Sequence, residues 1–459
     1  MKNINDSGLF DDQKRVRNMK TTRRNFIKKV AVPLITVPLI LPTRVRMFPP
    51  SNRITMGFIG MGKQSQWLLS KFLPLTQVLA VCEVDTNRRV NAKHVVEKFY
   101  TDNKDKGVVD CKAYNDYREL IRRKDIDTLC IATPDHWHAA AILLALREGK
   151  DIFCEKPLTH NIQEAIDVIK GVDEHKRVLQ TGSMQRSMKE FRIACELVRN
   201  GCIGTIDHVE CSFGGPPVPC DLPEENMEPG LDWNMWLGPA PMRPYNSILS
   251  PRGVHDHYPA WRSYKEYGTG GTGDWGAHHL DIAQWGLGMD NSGPVEVRFI
   301  DNEAVLVYSN GIKVIRRENG FGVHFFGSEG EVMVNRGTFK VVVKGRTIAS
   351  YLDSDSTRKD MSCQTEVEKA EKLLLKDAKI RLYESKSHYE DFLSCVVSRK
   401  KPVASEQIGG RTVICCHLMN QLYFHNTTMK WDPAKFCFTG GTGNPAWLTS
   451  DYRDWTKNK

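Results

Sequence analysis

Much is missing from this sequence, and each absence narrows the choices. Thirteen cysteines are scattered along 459 residues without a single CxxC pair, which excludes a zinc ribbon or an iron–sulfur cradle, and the odd count excludes a fully paired disulfide framework. The adjacent Cys415 and Cys416 fall in an apolar helical pattern, where a free thiol behaves as a small buried hydrophobe. No apolar run reaches the roughly 20 residues that span a bilayer; the stretch from Val30 to Leu41 is short and broken by Pro33 and Pro38. There is no internal repeat and no low-complexity tract. Outside the N-terminus the charge is balanced. Residues 1–53 hold 12 Lys/Arg and 3 Asp/Glu, the whole formal +9, leaving 52 basic and 52 acidic residues for the rest. A body without net charge gives no reason to expect a nucleic-acid partner. What remains, 41% hydrophobic and 26% charged, is a globular composition large enough for two or three domains.

The basic head has an order of its own. Thr22, Arg23, Arg24, Asn25, Phe26, Ile27 and Lys28 precede the apolar stretch, and Met19 and Lys20 stand where such a segment would begin. This resembles a twin-arginine export signal, which implies a periplasmic or otherwise extracytoplasmic location and no membrane span once the signal is removed. Export in the folded state is compatible with unpaired thiols. No cysteine closely follows the apolar stretch, which argues against a lipid anchor. Residues 44–53, with Pro49 and Pro50, read as a linker.

From Ile54 strands and helices alternate. Strands are predicted at 54–59, 77–82, 128–132 and 151–154, and helices after Ser65 and at 91–100, 138–148 and 161–172. Short apolar strands separated by helices specify a parallel sheet covered on both faces, the doubly wound Rossmann pattern. After about residue 180, period-two runs at 206–213, 295–299, 304–308, 312–316, 322–326 and 331–334 predict an α+β domain with a large mixed or antiparallel sheet. An aromatic and Gly/Pro-rich insertion, 214–273, is too long for a simple connection. Helices are predicted at 388–397 and 410–424. The expected division is signal and linker 1–50, α/β nucleotide domain 51–178, α+β domain 179–440 and a C-terminal tail 441–459.

Directly after the first strand come Gly60, Met61, Gly62, Lys63, Gln64 and Ser65. Here Gly60 permits a tight turn, and Gly62 lets a pyrophosphate approach the backbone N–H groups that open the helix. Ser65 stands where a third glycine is usual. About 20 residues on, the second strand ends in Glu83 and Asp85. A carboxylate there accepts hydrogen bonds from ribose hydroxyls and repels a 2′-phosphate, favouring NAD over NADP. Glu83 is the first choice and Asp85 the second; Arg88 and Arg89 keep NADP open.

The fourth strand is followed by Thr133, Pro134, Asp135, His136, Trp137 and His138, and the fifth by Glu155, Lys156 and Pro157. Both loops lie at carboxyl ends of strands, where such sheets bind ligands. With Thr181–Arg186 and Gly273–Asp281 added, the motif set resembles the Gfo/Idh/MocA dehydrogenase family over roughly residues 54–440. The resemblance implies an oxidoreductase that moves hydride between a tightly held nicotinamide and a sugar, glycoside or inositol-like secondary alcohol, and a homo-oligomer. It identifies Lys156 as catalytic. Alcohol oxidation needs a base and a positive group beside the developing alkoxide, and Lys156 and His278 are both candidates, with Asp274 orienting the substrate or the imidazole. Asp274, His278, Asp281 and Trp285 share one face of a helix beginning near residue 275. Thr133, Pro134, His138 and Glu155 are assigned to the nicotinamide pocket. Arg186, His257, Tyr258, Trp261, Arg262 and His279 are candidates for the substrate cleft.

Two other chemistries compete. The same fold can cleave glycosides through transient oxidation by a retained NAD, although Gly273–His279 differs from the motif of that branch. A metal-dependent hydrolase is suggested by His136/His138, His255/His257 and His278/His279/Asp281, but it leaves the glycine-rich turn and the Glu-Lys-Pro loop without a task, so no metal is assigned.

Overall fold

A computed structural model describes residues 53–107, 110–355 and 362–455; the segment read above as an export signal and almost all of the linker after it lie outside the described residues. Strand β1 (Thr55–Ile59) is buried along its whole length. It is followed by α1 (Lys63–Phe72), β2 (Gln77–Cys82), α2 (Thr86–Asp102), β3 (Lys112–Tyr114), α3 (Tyr117–Ile121), β4 (Thr128–Ile131), α4 (Asp135–Arg147), β5 (Asp151–Cys154), α5 (Ile162–His175) and β6 (Leu179–Thr181). The sheet order is β3-β2-β1-β4-β5-β6, parallel throughout. Because β1 leads to β2 on one side and lies beside β4 on the other, a crevice opens between the carboxyl ends of β1 and β4.

Strand β6 pairs with β5 at Ile152, Phe153 and Cys154, so the first sheet runs past the boundary read at 178. Strands need only a few residues, and Leu179–Thr181 is too short to show a period.

The second unit comprises α6 (Lys189–Arg199), β7 (Ile206–Ser212), α7 (Trp233–Leu237), α8 (Gly270–Asp274), α9 (Gly276–Leu287), and then β8 (Glu296–Ile300), β9 (Glu303–Val307), β10 (Lys313–Arg317), β11 (Val323–Gly327), β12 (Gly330–Asn335), β13 (Thr338–Val343) and β14 (Arg346–Tyr351). Helices α10 (Cys363–Leu374), α11 (His388–Ser398) and α12 (Glu406–His425) precede β15 (Met429–Asp432) and β16 (Cys437–Thr439). Ten strands form one sheet, β14-β13-β12-β11-β7-β10-β9-β8-β15-β16, with β7 and β10 parallel and the other pairs antiparallel. The predicted mixed sheet is therefore present, extended by β13 to β16.

Late segments of the chain return to the first sheet. Tyr389 and Phe392 of α11 pack edge-on against Phe72 and tilted or edge-on against Phe153, and Trp455 lies edge-on to Trp137 at 4.9 Å. Helix α12 crosses α5 closely because it offers no side chain there: a Cβ at Gly410 would meet Ile169 Cδ1 at 2.6 Å. The segment expected as a separate tail is thus part of the packing. The insertion carries its own core of Trp233, Trp236, Tyr245, Leu249, Trp261 and Tyr267, which accounts for its aromatic content. Among the described residues no helix is long and apolar enough to cross a membrane.

Candidate active site

The turn after β1 is built as glycine requires. Gly60 has φ +83°, and a Cβ on it would lie 2.8 Å from the Ala132 carbonyl oxygen at the end of β4. Ser65 is fully buried and its hydroxyl donates back to the Gly60 carbonyl, so the serine ties the turn where a third glycine would only have left room. Gly62 precedes α1 without a side-chain cap, leaving the first N–H groups of that helix for a ligand. Glu83 Oε2 accepts from Met61 N at 2.8 Å and Oε1 from Asp85 N at 3.0 Å, which fixes the carboxylate against the turn on the wall of the crevice. Thr133 and Pro134 line it too, and the Thr133 hydroxyl oxygen is shielded from solvent with no partner within the chain. A bare helix start, a fixed carboxylate and an unpartnered hydroxyl around one elongated space fit a dinucleotide.

Asp85 does not belong to that wall. It is fully buried and caps α2, accepting from Arg88 N at 2.8 Å; the choice between the two carboxylates falls to Glu83. Arg88, on the crevice wall, donates to the Pro251 carbonyl at 2.8 Å and to Ser250 Oγ at 3.0 Å.

Those partners belong to the insertion, which closes over the crevice. Asp232 N donates to Val84 O and Thr86 N to Gly230 O, each at 3.0 Å, and Trp137 Nε1 donates to Trp236 O at 3.0 Å. Further along, Tyr258 OH donates to Gln64 Oε1 at 3.0 Å, Gln66 Nε2 to His255 O at 3.3 Å, and Lys63 pairs with Asp256. The insertion is a roof anchored at both ends of the crevice. Lys63 and Gln64 lie beneath it, on the walls of both the crevice and the neighbouring cleft.

The cleft beyond holds the predicted chemistry. Lys156 Nζ pairs with the Asp274 carboxylate and donates to the Asp274 carbonyl at 3.0 Å. Burial works to raise the Asp274 carboxyl, but the ammonium beside it holds it below the usual carboxylate range. His278 lines the same cleft, 5% exposed, and its Nδ1 has no partner; burial, then the charges of Lys156 and Arg336, push its pKa well below the ordinary imidazole value. Asp274 therefore serves the lysine, and no carboxylate orients the histidine. The helix expected from near 275 is α9, preceded by the short α8 and joined to it at Trp275, which is 42% exposed and lines the cleft.

Several assignments change. His138 is buried with Nδ1 2.9 Å from Pro157 O and Nε2 3.0 Å from Thr133 O; it staples the two motif loops together and does not line the pocket. Arg186 is 2% exposed, held by Asp281 at 2.8 Å and Asp290 at 2.7 Å over the Trp285 ring, a structural ion triad outside the substrate cleft. His279 faces the second sheet, with Nδ1 2.6 Å from Ser212 O. His257 is exposed outside both spaces. Tyr258, Trp261 and Arg262 do reach the cleft, with the Arg262 guanidinium stacked 4.2 Å from the Trp261 ring. Glu155 lines the cleft floor, accepts from Gln64 Nε2 at 2.9 Å, and is raised by burial.

Other cleft residues carry no assignment from the sequence, Asp135, Trp275 and Arg336 among them. Asp135 accepts from Thr269 Oγ1 at 2.9 Å and is pushed up to about 7 by burial; Trp275 and Arg336 complete the wall. The first two sat inside quoted motifs without a role, whereas nothing local marks Arg336. Of the histidines that suggested a metal, His136 and His138 are engaged at both ring nitrogens, those of His136 facing the carbonyls of Tyr267 and Trp236. Among the described residues no group of three His, Cys, Asp or Glu side chains is placed to hold a metal ion.

A doubly wound domain with a dinucleotide crevice, opening onto a Lys–Asp pair and a neutral histidine, defines an oxidoreductase scaffold. Residues 54–183 match the model of the oxidoreductase family with NAD-binding Rossmann fold, Gfo/Idh/MocA, and residues 219–456 match the model of its C-terminal alpha/beta domain. The chain belongs to the Gfo/Idh/MocA oxidoreductase family. It is similar to inositol 2-dehydrogenase of Rhodococcus jostii, 31% identical over 25% of this chain and 31% of that one. It is also similar to glycosyl hydrolase family 109 protein 1 of Shewanella sp. strain MR-4, 28% identical over 42% of this chain and 45% of that one. These matches span less than half the length of either relative. In fold it is similar to levoglucosan dehydrogenase in complex with NADH, with TM-score 0.53 at 17% identity, covering 82% of this chain and 98% of that one. It is similar as well to aldose-aldose oxidoreductase of Caulobacter crescentus, with TM-score 0.51 at 15% identity, covering 83% and 100%.

Proposed function

We propose that the protein moves a hydride between a secondary alcohol on a sugar, glycoside or inositol-like ring and a nicotinamide dinucleotide that stays bound between turnovers. The observation that carries this reading is the Lys156–Asp274 pair facing His278 in a cleft continuous with the crevice at β1 and β4. The bound nicotinamide supplies the hydride acceptor. Lys156 Nζ, fixed by two oxygens of Asp274, places a cation where negative charge develops on the substrate oxygen and holds or passes on its proton. His278, kept neutral by burial, can accept that proton but has no partner that would stabilise the resulting cation. These features favour Lys156 as the group nearest the proton and His278 as a hydrogen-bonding wall. The test is gentle purification followed by the mass and absorbance of whatever nucleotide co-purifies, then addition of a panel of glucosides and inositols. Growth of the reduced-nicotinamide band with one of them is the expected result. A protein that binds the dinucleotide yet passes no hydride to or from any member overturns the reading.

The cofactor is NAD in preference to NADP, because the fixed Glu83 carboxylate stands at the end of β2 where a 2′-phosphate would meet it. Glu83→Ala is expected to weaken NAD binding by about 1–3 kcal/mol, measured by titration; tighter binding of NADP than NAD by the unmodified protein contradicts the assignment. Export through the twin-arginine route is part of the same proposal, since a retained cofactor suits an enzyme that works away from the soluble NAD pool. Replacing Arg23 and Arg24 by Lys is expected to leave the protein in the cytoplasm, and unchanged fractionation refutes it.

A second reading has the Shewanella relative in its favour: oxidation is transient and ends in cleavage of a glycosidic bond, with the hydride returned. Release of the aglycone from an aryl glycoside without net change in the nicotinamide band separates the two.

A further inference from the structure

Arg336 reaches the cleft from the turn between β12 and β13, on the second sheet. Its guanidinium lies 4.9 Å from the Trp275 ring. In the amide orientation that satisfies both of its ends, Gln185 accepts from Arg336 Nε at 3.3 Å and donates to the His278 carbonyl at 3.2 Å. Gln185 is fully buried, so a core polar group, which must find partners, is committed to aiming this one side chain. Asp274 and Glu155 act on the guanidinium from a distance, and neither forms an ion pair with it.

The other cations of the cleft are accounted for. Lys156 is paired with Asp274 and Lys63 with Asp256. Arg262 lies on the Trp261 ring at 4.2 Å and donates to the Pro259 carbonyl at 3.2 Å. Arg336 presents its terminal N–H donors beside Lys156 and His278, with no ion pair among the described residues. A guanidinium fork matches a carboxylate in plane, with two parallel hydrogen bonds and one unit of opposite charge.

We propose that the sugar carries a carboxylate and that Arg336 binds it, so that the substrate class is the sugar acids and their glycosides. The inference rests on the sugar-oxidising reading above and narrows it. Its test compares methyl hexuronides with the matching neutral methyl hexosides, and with hexose 6-phosphates, in single-turnover hydride transfer to the bound nicotinamide. The best uronide is expected to exceed its neutral partner in kcat/KM by at least about 30-fold, the scale of a charge-assisted pair. Arg336→Gln should remove most of that ratio and Arg336→Lys should restore part of it. A neutral or phosphorylated sugar preferred over the uronides overturns the inference, as does a ratio unchanged in Arg336→Gln. If no sugar of either kind transfers a hydride, the sugar-oxidising reading falls separately, and calorimetric titration of the uronides decides on Arg336. Binding lost in Arg336→Gln then supports its role, and no binding to the unmodified protein removes it.

Discussion

Lys156→Ala is expected to slow single-turnover hydride transfer by at least about 100-fold, the low end for loss of a positioned acid or base, while the dinucleotide stays bound and the melting temperature moves little. The expectation follows from where the side chain lies. Lys156 is 18% exposed at the end of β5, and the Asp274 carboxylate it would leave behind is 31% exposed, so water can partly solvate that charge and the penalty for an abandoned buried ion is reduced. Asp274→Asn keeps the shape and one hydrogen bond to the ammonium but removes the charge that holds it, and a smaller loss is expected. His278 adds a constraint on the pH profile. Since burial and neighbouring cations keep its pKa well below the ordinary value, the imidazole stays neutral through neutral pH, and no acid limb near pH 6–7 should arise from it. Near-normal hydride transfer in Lys156→Ala would take the lysine out of the chemistry.

The second large effect concerns acid. His136 and His417 are pushed down to about 3, and His138, His160, His279 and His388 to about 4, burial being the largest cause in each. A histidine lowered in the folded state binds its proton more readily when unfolded, so stability falls as pH drops below the unfolded value of about 6.5 and continues to fall towards the folded value. At pH 5 each such group costs about 2 kcal/mol. Asp135 and Glu164, both raised by burial to about 7, work in the opposite direction and offset roughly two or three of the histidines. The net loss from pH 7.5 to pH 5 is on the order of 5–10 kcal/mol, comparable to the whole stability of an ordinary domain. Thermal melts across that range should show a steep fall; a melting temperature at pH 5 within a few degrees of that at pH 7.5 would contradict it.

What the sequence made legible was local. The glycine-rich turn and the Glu-Lys-Pro loop are contiguous motifs at strand ends, and a parallel sheet brings such ends together, so Gly60, Glu83 and Lys156 could be placed without coordinates. Asp85 was readable in principle as a helix cap, since an Asp immediately before a helix commonly accepts from the N–H three residues on, as it does from Arg88. Arg186 was misjudged because a motif fixes where a residue sits in the chain and not what answers its charge; Asp290 lies 104 residues away. Arg336 had no local signal. It enters the cleft only because a hairpin late in the chain stands at one side of the ten-stranded sheet.

The roof over the crevice has a consequence for stoichiometry. Pinned at Val84 and Thr86 at one end and at Gln64 and Gln66 at the other, it would, on the proposed reading, hinder exchange of the dinucleotide with any pool outside. Each molecule would then carry one electron pair at most, and whatever donates it would have to leave before a second molecule took it away at the same cleft. Donor and acceptor would compete for one set of side chains, and the initial-rate plots for the two would run parallel instead of crossing.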